Sequence, residues 1–583
     1  MTRGTKAKIA SHLRKISIPE YIERWALIDL LGALAGIIGG LGAIVFRLMI
    51  NFNNYLFYSL IAKVLNFNFN GLNLGIPIAT GLGGLIVGLL VTKFAFEAKG
   101  HGVPEVMESI YLRGGVIRKR VAFIKIIASS ITIGSGGSAG REGPIAQIGA
   151  SMGSTLGQLF HLTSKDVRLL TICGLSAGIA GTFNAPLGGA LFGLEVLYRG
   201  IEPFDAIPII IAVVLGTAIA TWYLGNQPAF RVSGLSFNNP TELIFYIILG
   251  IVFGFIAVLW VKLFYAFERF FDELNVKDEI KPAIGAFIAG LIGMFMPTLG
   301  ILGVGYEGIE MALAGLLPPL MLLGLGVVKM VATSLTIGSG GSGGIFAPSL
   351  YVGCMLGGFL GVLFKSIAPT LVAQPYTYCL AGMASLFAGA AQAPLTVIIM
   401  IPEMCANYSL LLPIMISSSI SYFIAWSFMR GSSIYTLKLE RRGVHIKVGR
   451  PEILDLIQVK EVMSKKVITV KANMPASLLE IMVIETGHVG FPVVEDSKLI
   501  GFVTIEDLKK VKPEELDKVK IRDIASRRLI VAYPDESLSS VLTKMYKYNV
   551  GRLPVVDRND ESRLLGIISK TDILMAYKKF REA

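Results

Sequence analysis

Three glycine-rich segments, each leading toward an apolar helical run, have the residue types to do chemistry: Gly100-His-Gly-Val-Pro-Glu105, Gly140-Arg-Glu-Gly-Pro144 and Gly343-Gly-Ile-Phe-Ala-Pro348. Glycine lets the backbone turn tightly and bare its amides, and proline suits a first helical turn because the N–H it lacks would have no partner there. A helix N-terminus offers free N–H donors and a partial positive charge, so several converging ends hold an anion without a full cation. That suits flux, which needs a site strong enough to admit an ion and weak enough to release it. One such segment alone reads as close packing by small residues, as in GxxxG. Three of them, two in duplicated positions, favour the anion site.

Glu142 is the sharpest feature. A carboxylate at the start of a short intramembrane helix occupies the place an anion would prefer, and an ionisable residue there is a functional hypothesis. Ionised, it competes with the substrate for the same amides; protonated, it loses that attraction and can leave. One residue could serve as gate and proton carrier. A plain helix-dipole partner, paired with adjacent Arg141, is the alternative.

The elements that must position these residues are legible in composition. The 583 residues are 53% apolar and 16% charged, against about 25% charged in soluble domains. Residues 441–583 hold 46 of the 95 charged side chains, which implies lipid around the first part and water around the second. Apolar runs at 26–50, 75–93, 207–224, 242–266, 283–300, 318–337 and 409–428 approach the roughly 20 residues that cross a bilayer. Others, at 145–160 and 186–197, are short and bounded by Gly and Pro; broken helices survive at membrane depth only where they are buried or line a polar path. The net charge of +13 comes without a Lys/Arg stripe interleaved with aromatics, so nucleic acid is excluded. Arg3, Lys6, Lys8, Arg14 and Lys15 suit a cytoplasmic N-terminal tail. Cys173, Cys354, Cys379 and Cys405 lie singly and are expected to pack. Five scattered histidines, no HExxH and no Gly-x-Ser-x-Gly argue against an enzyme.

Two duplications organise the chain. Residues 132–149 align with 336–353 at an offset of 204, with 10 of 18 positions identical, and Lys125 and Lys329 share that offset. Asn-Ala-Pro-Leu at 184–187 matches Gln-Ala-Pro-Leu at 392–395 at an offset of 208, which also pairs Glu195 with Glu403. Phe346 stands where Glu142 does, so one half alone keeps the gate. Transporters built of two repeats commonly place the site at the repeat interface. Beyond Arg442, a strand–strand–helix unit occurs twice, at 490–508 and 552–573.

These motifs together resemble the CLC family of chloride channels and proton/chloride exchangers, followed by two cystathionine-β-synthase (CBS) domains. The resemblance implies a polytopic α-helical membrane protein with two inverted repeats and broken helices, plus a cytoplasmic α/β CBS pair. It also implies a multi-pass homodimer in the cell membrane, with one pore per subunit. The expected organisation is a cytoplasmic segment at 1–24, a transport domain at 25–440, a linker at 441–456, and CBS domains at 457–511 and 512–583. Glu142 falls on the family's gating glutamate. The segment Gly100, His101 and Gly102, and the backbone around Arg141, Gly143, Ile345, Phe346 and Ala347, fall on its anion-binding turns. Tyr435 falls on the tyrosine whose hydroxyl contacts the central anion, although on sequence grounds it reads equally as an interfacial aromatic.

Two departures stand out. His101 replaces a common serine; a neutral imidazole still donates one hydrogen bond, whereas an imidazolium would tighten anion binding. Val196 occupies the position of the internal proton glutamate, which points toward channel-like or weakly coupled transport. In the CBS pair, Thr504 and Asp507, and Ser569 and Asp572, share a Thr/Ser-x-x-Asp spacing. The resemblance implies an adenine nucleotide there, with carboxylate on ribose and hydroxyl near phosphate, while the same spacing marks an ordinary helix start. No cofactor is required for transport. Chloride is the leading anion, with fluoride or nitrate as rivals and protons as a second substrate. A divalent-cation transporter would need intramembrane carboxylates that the central loops lack.

Overall fold

The computed structural model describes residues 20–64, 68–69, 72–198, 203–232, 234–444, 454, 457–496, 498–527, 529–558 and 560–582. Residues 1–19 of the basic N-terminal segment, and all of the 441–456 linker beyond residue 444 except Leu454, lie outside them. The chain divides into two compact units, Met1–Gly449 and Arg450–Ala583.

The first unit is helical: α1 (Glu20–Asn54), α2 (Gly75–Phe94), α3 (Val103–Leu112), α4 (Arg120–Gly134), α5 (Glu142–Leu159), α6 (Ser164–Phe183), α7 (Pro186–Phe192) and α8 (Pro203–Leu224). The same succession then recurs as α9 (Leu243–Glu273), α10 (Lys281–Gly293), α11 (Tyr306–Leu313), α12 (Pro319–Gly338), α13 (Phe346–Ile367), α14 (Thr377–Ala391), α15 (Pro394–Cys405) and α16 (Leu411–Met429). A short α17 (Thr436–Arg441) ends the unit. Among the described residues, eight spans are long and apolar enough to cross a membrane, and α7, α10, α14 and α15 are shorter apolar helices. The apolar run 283–300 is not one helix: α10 stops at Gly293, and the chain from Thr298 to Gly305 is irregular, with Gly300, Gly303 and Gly305 at positive φ.

The halves pack alike. α1 lies against α6 and α8 as α9 lies against α14 and α16, while α2 meets α10 and α7 meets α15 across the repeats. Glycine permits the tightest contact: a Cβ on Gly149 would sit 2.1 Å from the Gly174 carbonyl, and one on its repeat equivalent Gly353 would sit 2.5 Å from the Gly382 carbonyl. The four cysteines are free and buried.

The second unit holds two similar modules. In the first, β1 (Val470–Lys471) pairs in parallel with β2 (Gly490–Glu495), which pairs antiparallel with β3 (Lys498–Thr504), flanked by α18 (Ala476–Thr486) and α19 (Ile505–Leu508). In the second, helix α20 (Leu538–Lys547) precedes the antiparallel pair β4 (Arg552–Val556) and β5 (Leu564–Ser569), and α21 (Lys570–Glu582) follows. Each module has its own apolar core, one around Val470, Phe491 and Val503, the other around Val541, Val555 and Ile568.

Candidate anion pathway

The two GSGGS turns meet face to face. Gly140 and Gly344, equivalent at the 204 offset, form an antiparallel bridge in which each amide donates to the other's carbonyl, at 2.7 and 2.6 Å. The bonds around them are reciprocal. Ser138 N donates to Thr336 Oγ1 at 3.1 Å, and Ser342 N to Thr132 Oγ1 at 3.3 Å. The hydroxyls of Ser129 and Ser342 lie 2.8 Å apart, and those of Ser138 and Thr333 lie 3.0 Å apart. Equivalent residues bonding to one another in both directions define a local two-fold axis through this bridge. It brings the N-termini of α5 and α13 together.

Buried lysines hold the flanking loops. Lys125 Nζ donates to the carbonyls of Ala98 and Gly100 at 3.0 and 2.8 Å. Lys329 Nζ donates to those of Gly300, Ile301 and Gly303 at 2.8, 3.0 and 3.1 Å. Turning carbonyls onto an ammonium fixes the loops, and at Gly300 and Ile301 it satisfies carbonyls that would otherwise be orphaned.

The Glu142 side chain, 3% exposed with its residue, reaches across the axis. Its Oε2 accepts from the Ala347 amide at 3.3 Å, while its buried Oε1 has no partner. The carboxylate therefore sits on the N-terminus of the second repeat's α13, where an anion would bind. Among the described residues it makes no ion pair with Arg141. That guanidinium lies 5.0 Å from the Tyr306 ring centroid, and its Nη2 donates to the Thr182 carbonyl at 3.3 Å. Space for the carboxylate requires glycine: a Cβ on Gly140 would lie 2.0 Å from Glu142 Oε2.

The other sequence candidates gather on the same axis. Gly100 and Gly102 adopt φ of +77° and +87°. A Cβ on Gly143 would lie 2.0 Å from the His101 carbonyl, so α3 and α5 begin in contact. The His101 ring, 1% exposed as a residue, has neither nitrogen hydrogen-bonded and lies 5.7 Å from the Tyr435 ring and 5.8 Å from the Phe264 ring. Ile345 is the N-cap of α13, and Phe346 packs on Phe183 and Phe387 with centroids 5.3 and 4.5 Å apart. Tyr435 is buried beside Phe192, Phe387 and His101, so it is not an interfacial aromatic.

Sequence reasoning missed two supports. Glu105 forms a buried ion pair with Lys438 at 2.8 Å, tying the first turn of α3 to the helix that follows Tyr435. Glu195 and Glu403 cap each other's repeat. The Glu195 carboxylate accepts from the amides of Leu395 and Thr396 at 3.0 and 2.7 Å, and the Glu403 carboxylate from those of Leu187 and Gly188 at 3.1 and 2.7 Å. The equal offset of 208 was the available signal. Val196 is buried in the π-helical turn Gly193–Tyr198, next to Glu195.

In the second unit, both Thr/Ser-x-x-Asp pairs form capping boxes. Thr504 Oγ1 donates to Asp507 Oδ2 at 2.7 Å, and Ser569 Oγ to Asp572 Oδ2 at 2.7 Å. Burial pushes the Asp507 carboxyl up, yet hydrogen bonds from Lys510 and Thr504 outweigh it and hold the carboxyl below its ordinary value.

Comparison with known proteins follows the same division. A family model described as voltage gated chloride channel matches residues 83–426, and the CBS domain model matches 459–514 and 521–579. The chain is 34% identical over 358 residues to the H(+)/Cl(-) exchange transporter ClcA of Yersinia pestis bv. Antiqua (strain Angola), covering 60% of this chain and 74% of that one. The ClcA of Salmonella paratyphi A is 34% identical over 362 residues, 60% of this chain and 75% of the relative. Among solved structures, a slow cyanobacterial Cl-/H+ antiporter superposes with a TM-score of 0.63 at 24% identity, over 71% of this chain and 96% of that one. A eukaryotic CLC transporter superposes with a TM-score of 0.62 at 19% identity, over 95% and 98%. With the duplicated turns, the reciprocal caps and a matching model over more than half its length, this multi-pass membrane chain belongs to the voltage gated chloride channel (CLC) family and carries a C-terminal pair of CBS domains.

Proposed function

We propose that this protein carries chloride across the cell membrane through a pathway gated by Glu142, with weak or no proton coupling because Val196 replaces the internal proton glutamate. The observation that carries this reading is the Glu142 carboxylate on the Ala347 amide, with its second oxygen unpartnered. Ionised, it occupies the seat of an anion on the N-terminus of α13; protonated, it surrenders that seat. The backbone at Gly100, Gly102, Arg141, Gly143, Ile345, Phe346 and Ala347 and the Tyr435 hydroxyl serve as anion donors. An imidazole N–H of His101 adds one, so His101→Ser should shift the preference among chloride, fluoride and nitrate. No cofactor is needed for transport. The functional unit is a homodimer in the bilayer, with the basic N-terminal segment and the CBS pair in the cytoplasm. Purified protein in vesicles tests the gate. Wild-type chloride flux should rise as pH falls, and Glu142→Ala should be pH-insensitive and move no protons; identical pH responses would overturn the gate.

A second reading, proton-coupled exchange, is favoured by relatives named H(+)/Cl(-) exchange transporters. Uphill proton movement driven by a chloride gradient in the same vesicles decides for it. For the CBS pair we propose regulation by an adenine nucleotide at Thr504, Asp507, Ser569 and Asp572. Its ribose and phosphate would compete with the two capping boxes, and titration without heat or thermal shift would remove this proposal.

A further inference from the structure

His101 brings an imidazole to the central turns, and both of its nitrogens are buried without a hydrogen-bond partner. Leaving buried polar atoms unpaired is costly, which is an unusual state for a ring that only packs. The ring lies 5.7 Å from that of Tyr435, whose hydroxyl bonds to none of the described residues. The His101 carbonyl meets Gly143, the residue after Glu142. Toward the other side stands Glu105, in the first turn of α3. Its Oε1 is taken by Lys438 at 2.8 Å and approached by Arg442 at 3.5 Å, while its Oε2 is buried with no partner. The Lys438 and Glu105 side chains are 9% and 8% exposed and that of Arg442 is 39% exposed, so the cluster leads outward from the imidazole past the end of α17. The charged groups that act on the ring are Lys438 and Arg442 from the α17 side, Glu105 from α3 and Lys125 from α4; α9 faces it with Phe264. Three cations against one carboxylate disfavour a lone imidazolium, which gains its counter-charge only when an anion lies beside it. Val196, buried in the π-helical turn Gly193–Tyr198, has no atom that can take up a proton.

We propose that His101 is the inner proton acceptor of the transport cycle, and that it loads a proton only when an anion sits beside it. The idea rests on proton-coupled exchange and gives that exchange a carrier in place of the glutamate that Val196 replaces. A proton from water entering past Arg442 and Lys438 adds to one ring nitrogen while the other keeps its hydrogen. The imidazolium is balanced by an anion beside the Tyr435 hydroxyl and by Glu105 Oε2. The proton then passes, through a water at that hydroxyl, to Glu142 Oε1, the carboxylate oxygen that has no partner. Imidazolium and carboxylate become neutral imidazole and carboxylic acid, and the neutral Glu142 leaves the Ala347 amide to the anion. Histidine suits the task because its charge changes near neutrality. The imidazole also lines the anion's own track, so an anion can pass without a proton, and coupling through it is weak.

Full-length protein in vesicles, with a chloride gradient imposed and protons and chloride counted together, tests the carrier. The wild type should move protons uphill. His101→Gln keeps an N–H donor but cannot titrate near neutrality, and it should lower the protons moved per chloride about tenfold or more, whatever its chloride flux. An equal ratio in the two proteins would overturn the proposal and leave exchange standing, whereas a wild type that moves no protons would overturn both. A second measurement needs neither flux nor a His101 variant. Magnetic resonance of histidine-labelled Glu142→Gln protein in detergent, with the His101 signal assigned through its contact with the Tyr435 ring, follows the imidazole while the gate cannot titrate. Its titration midpoint should rise by about one pH unit, a tenfold gain in proton affinity, when gluconate is replaced by chloride. By reciprocity, acidification through that midpoint should tighten chloride binding to the same protein by the same factor. A midpoint that ignores chloride would overturn the proposal, since a histidine that only packs against Tyr435 has no reason to sense the anion.

Discussion

The two repeats share a scaffold but differ at its centre. Each contributes a lysine to carbonyls, a serine–threonine pair to the axis, a glutamate to the other's helix and a glycine to the central bridge. At the first residue of the central helix the symmetry breaks: Glu142 in one half, Phe346 in the other. The carboxylate crosses to an amide of α13, whereas the phenyl ring stays among aromatics. Duplication therefore supplies the cage, and one substitution supplies the proposed gate to one side of it. Two carboxylates facing one another across the bridge would repel, and two apolar residues would leave the amides without a competitor.

The largest expected effect comes from breaking the shared scaffold. Lys329→Met strands the buried carbonyls of Gly300 and Ile301, while that of Gly303 keeps the Ala139 amide, and should cost about 3 kcal/mol or more, enough to lose most folded protein; Lys125→Met leaves the Ser342 hydroxyl on the Ala98 carbonyl and the Gly343 amide on that of Gly100 and should cost less. Thermal unfolding in detergent, compared for the two variants, would contradict this ranking if Lys125→Met proved the more damaging.

Removing a reciprocal cap comes next. Glu195→Ala and Glu403→Ala each leave two amides at a helix start unpaired and should each destabilise by about 2 kcal/mol. Their stabilities should be close, with Glu195→Ala the lower because it also frees the Thr396 hydroxyl, while their transport differs more, because only Glu195 neighbours Val196. Paired measurements of melting temperature and proton flux would show whether structural equivalence and functional inequality separate in this way.

Erasing the central asymmetry should be felt in flux. Phe346→Glu places a second carboxylate at the axis and should lower chloride flux at neutral pH about tenfold, a barrier increase of about 1.4 kcal/mol, with recovery on acidification as carboxylates protonate. Flux equal to wild type would mean that Phe346 does not face the ion.

The smallest effects belong to the CBS modules, whose capping boxes repeat the theme of equivalent residues in two copies. Thr504→Ala and Ser569→Ala should each cost about 1 kcal/mol, read as faster amide exchange at the starts of α19 and α21. Asp507, held below its ordinary carboxyl value, contributes stability that is present above the unfolded-state value and lost as pH falls through the folded one. Protection at α19 should therefore fade on acidification, and a protection that grew would contradict the cap.

Much of this was legible in the sequence because it lies in local chemistry. Glycine runs followed by proline mark helix starts at Val103, Glu142 and Phe346, and fixed offsets mark the duplication. What stayed hidden depends on partners that carry no side-chain signature. The carbonyls under Lys125 and Lys329 belong to backbone, so the pairing of the lysines was visible while their task was not. The bond between Glu105 and Lys438 spans 333 residues with no repeat relation to betray it. The apolar run 283–300 stays helical only to Gly293, and the irregular chain that follows, with Gly300 and Gly303 at positive φ, brings the carbonyls of Gly300, Ile301 and Gly303 onto Lys329.

The exchange of glutamates between α7 and α15 has a consequence for biogenesis. Until the second repeat has been made, the amides of Leu187 and Gly188 at the start of α7 lack the Glu403 carboxylate, and Glu195 has no helix to serve. That intermediate is held together less firmly than the finished protein until α15 arrives with Glu403 and its own amides. A chain truncated before Glu403 would be cleared, not stored as a half-channel.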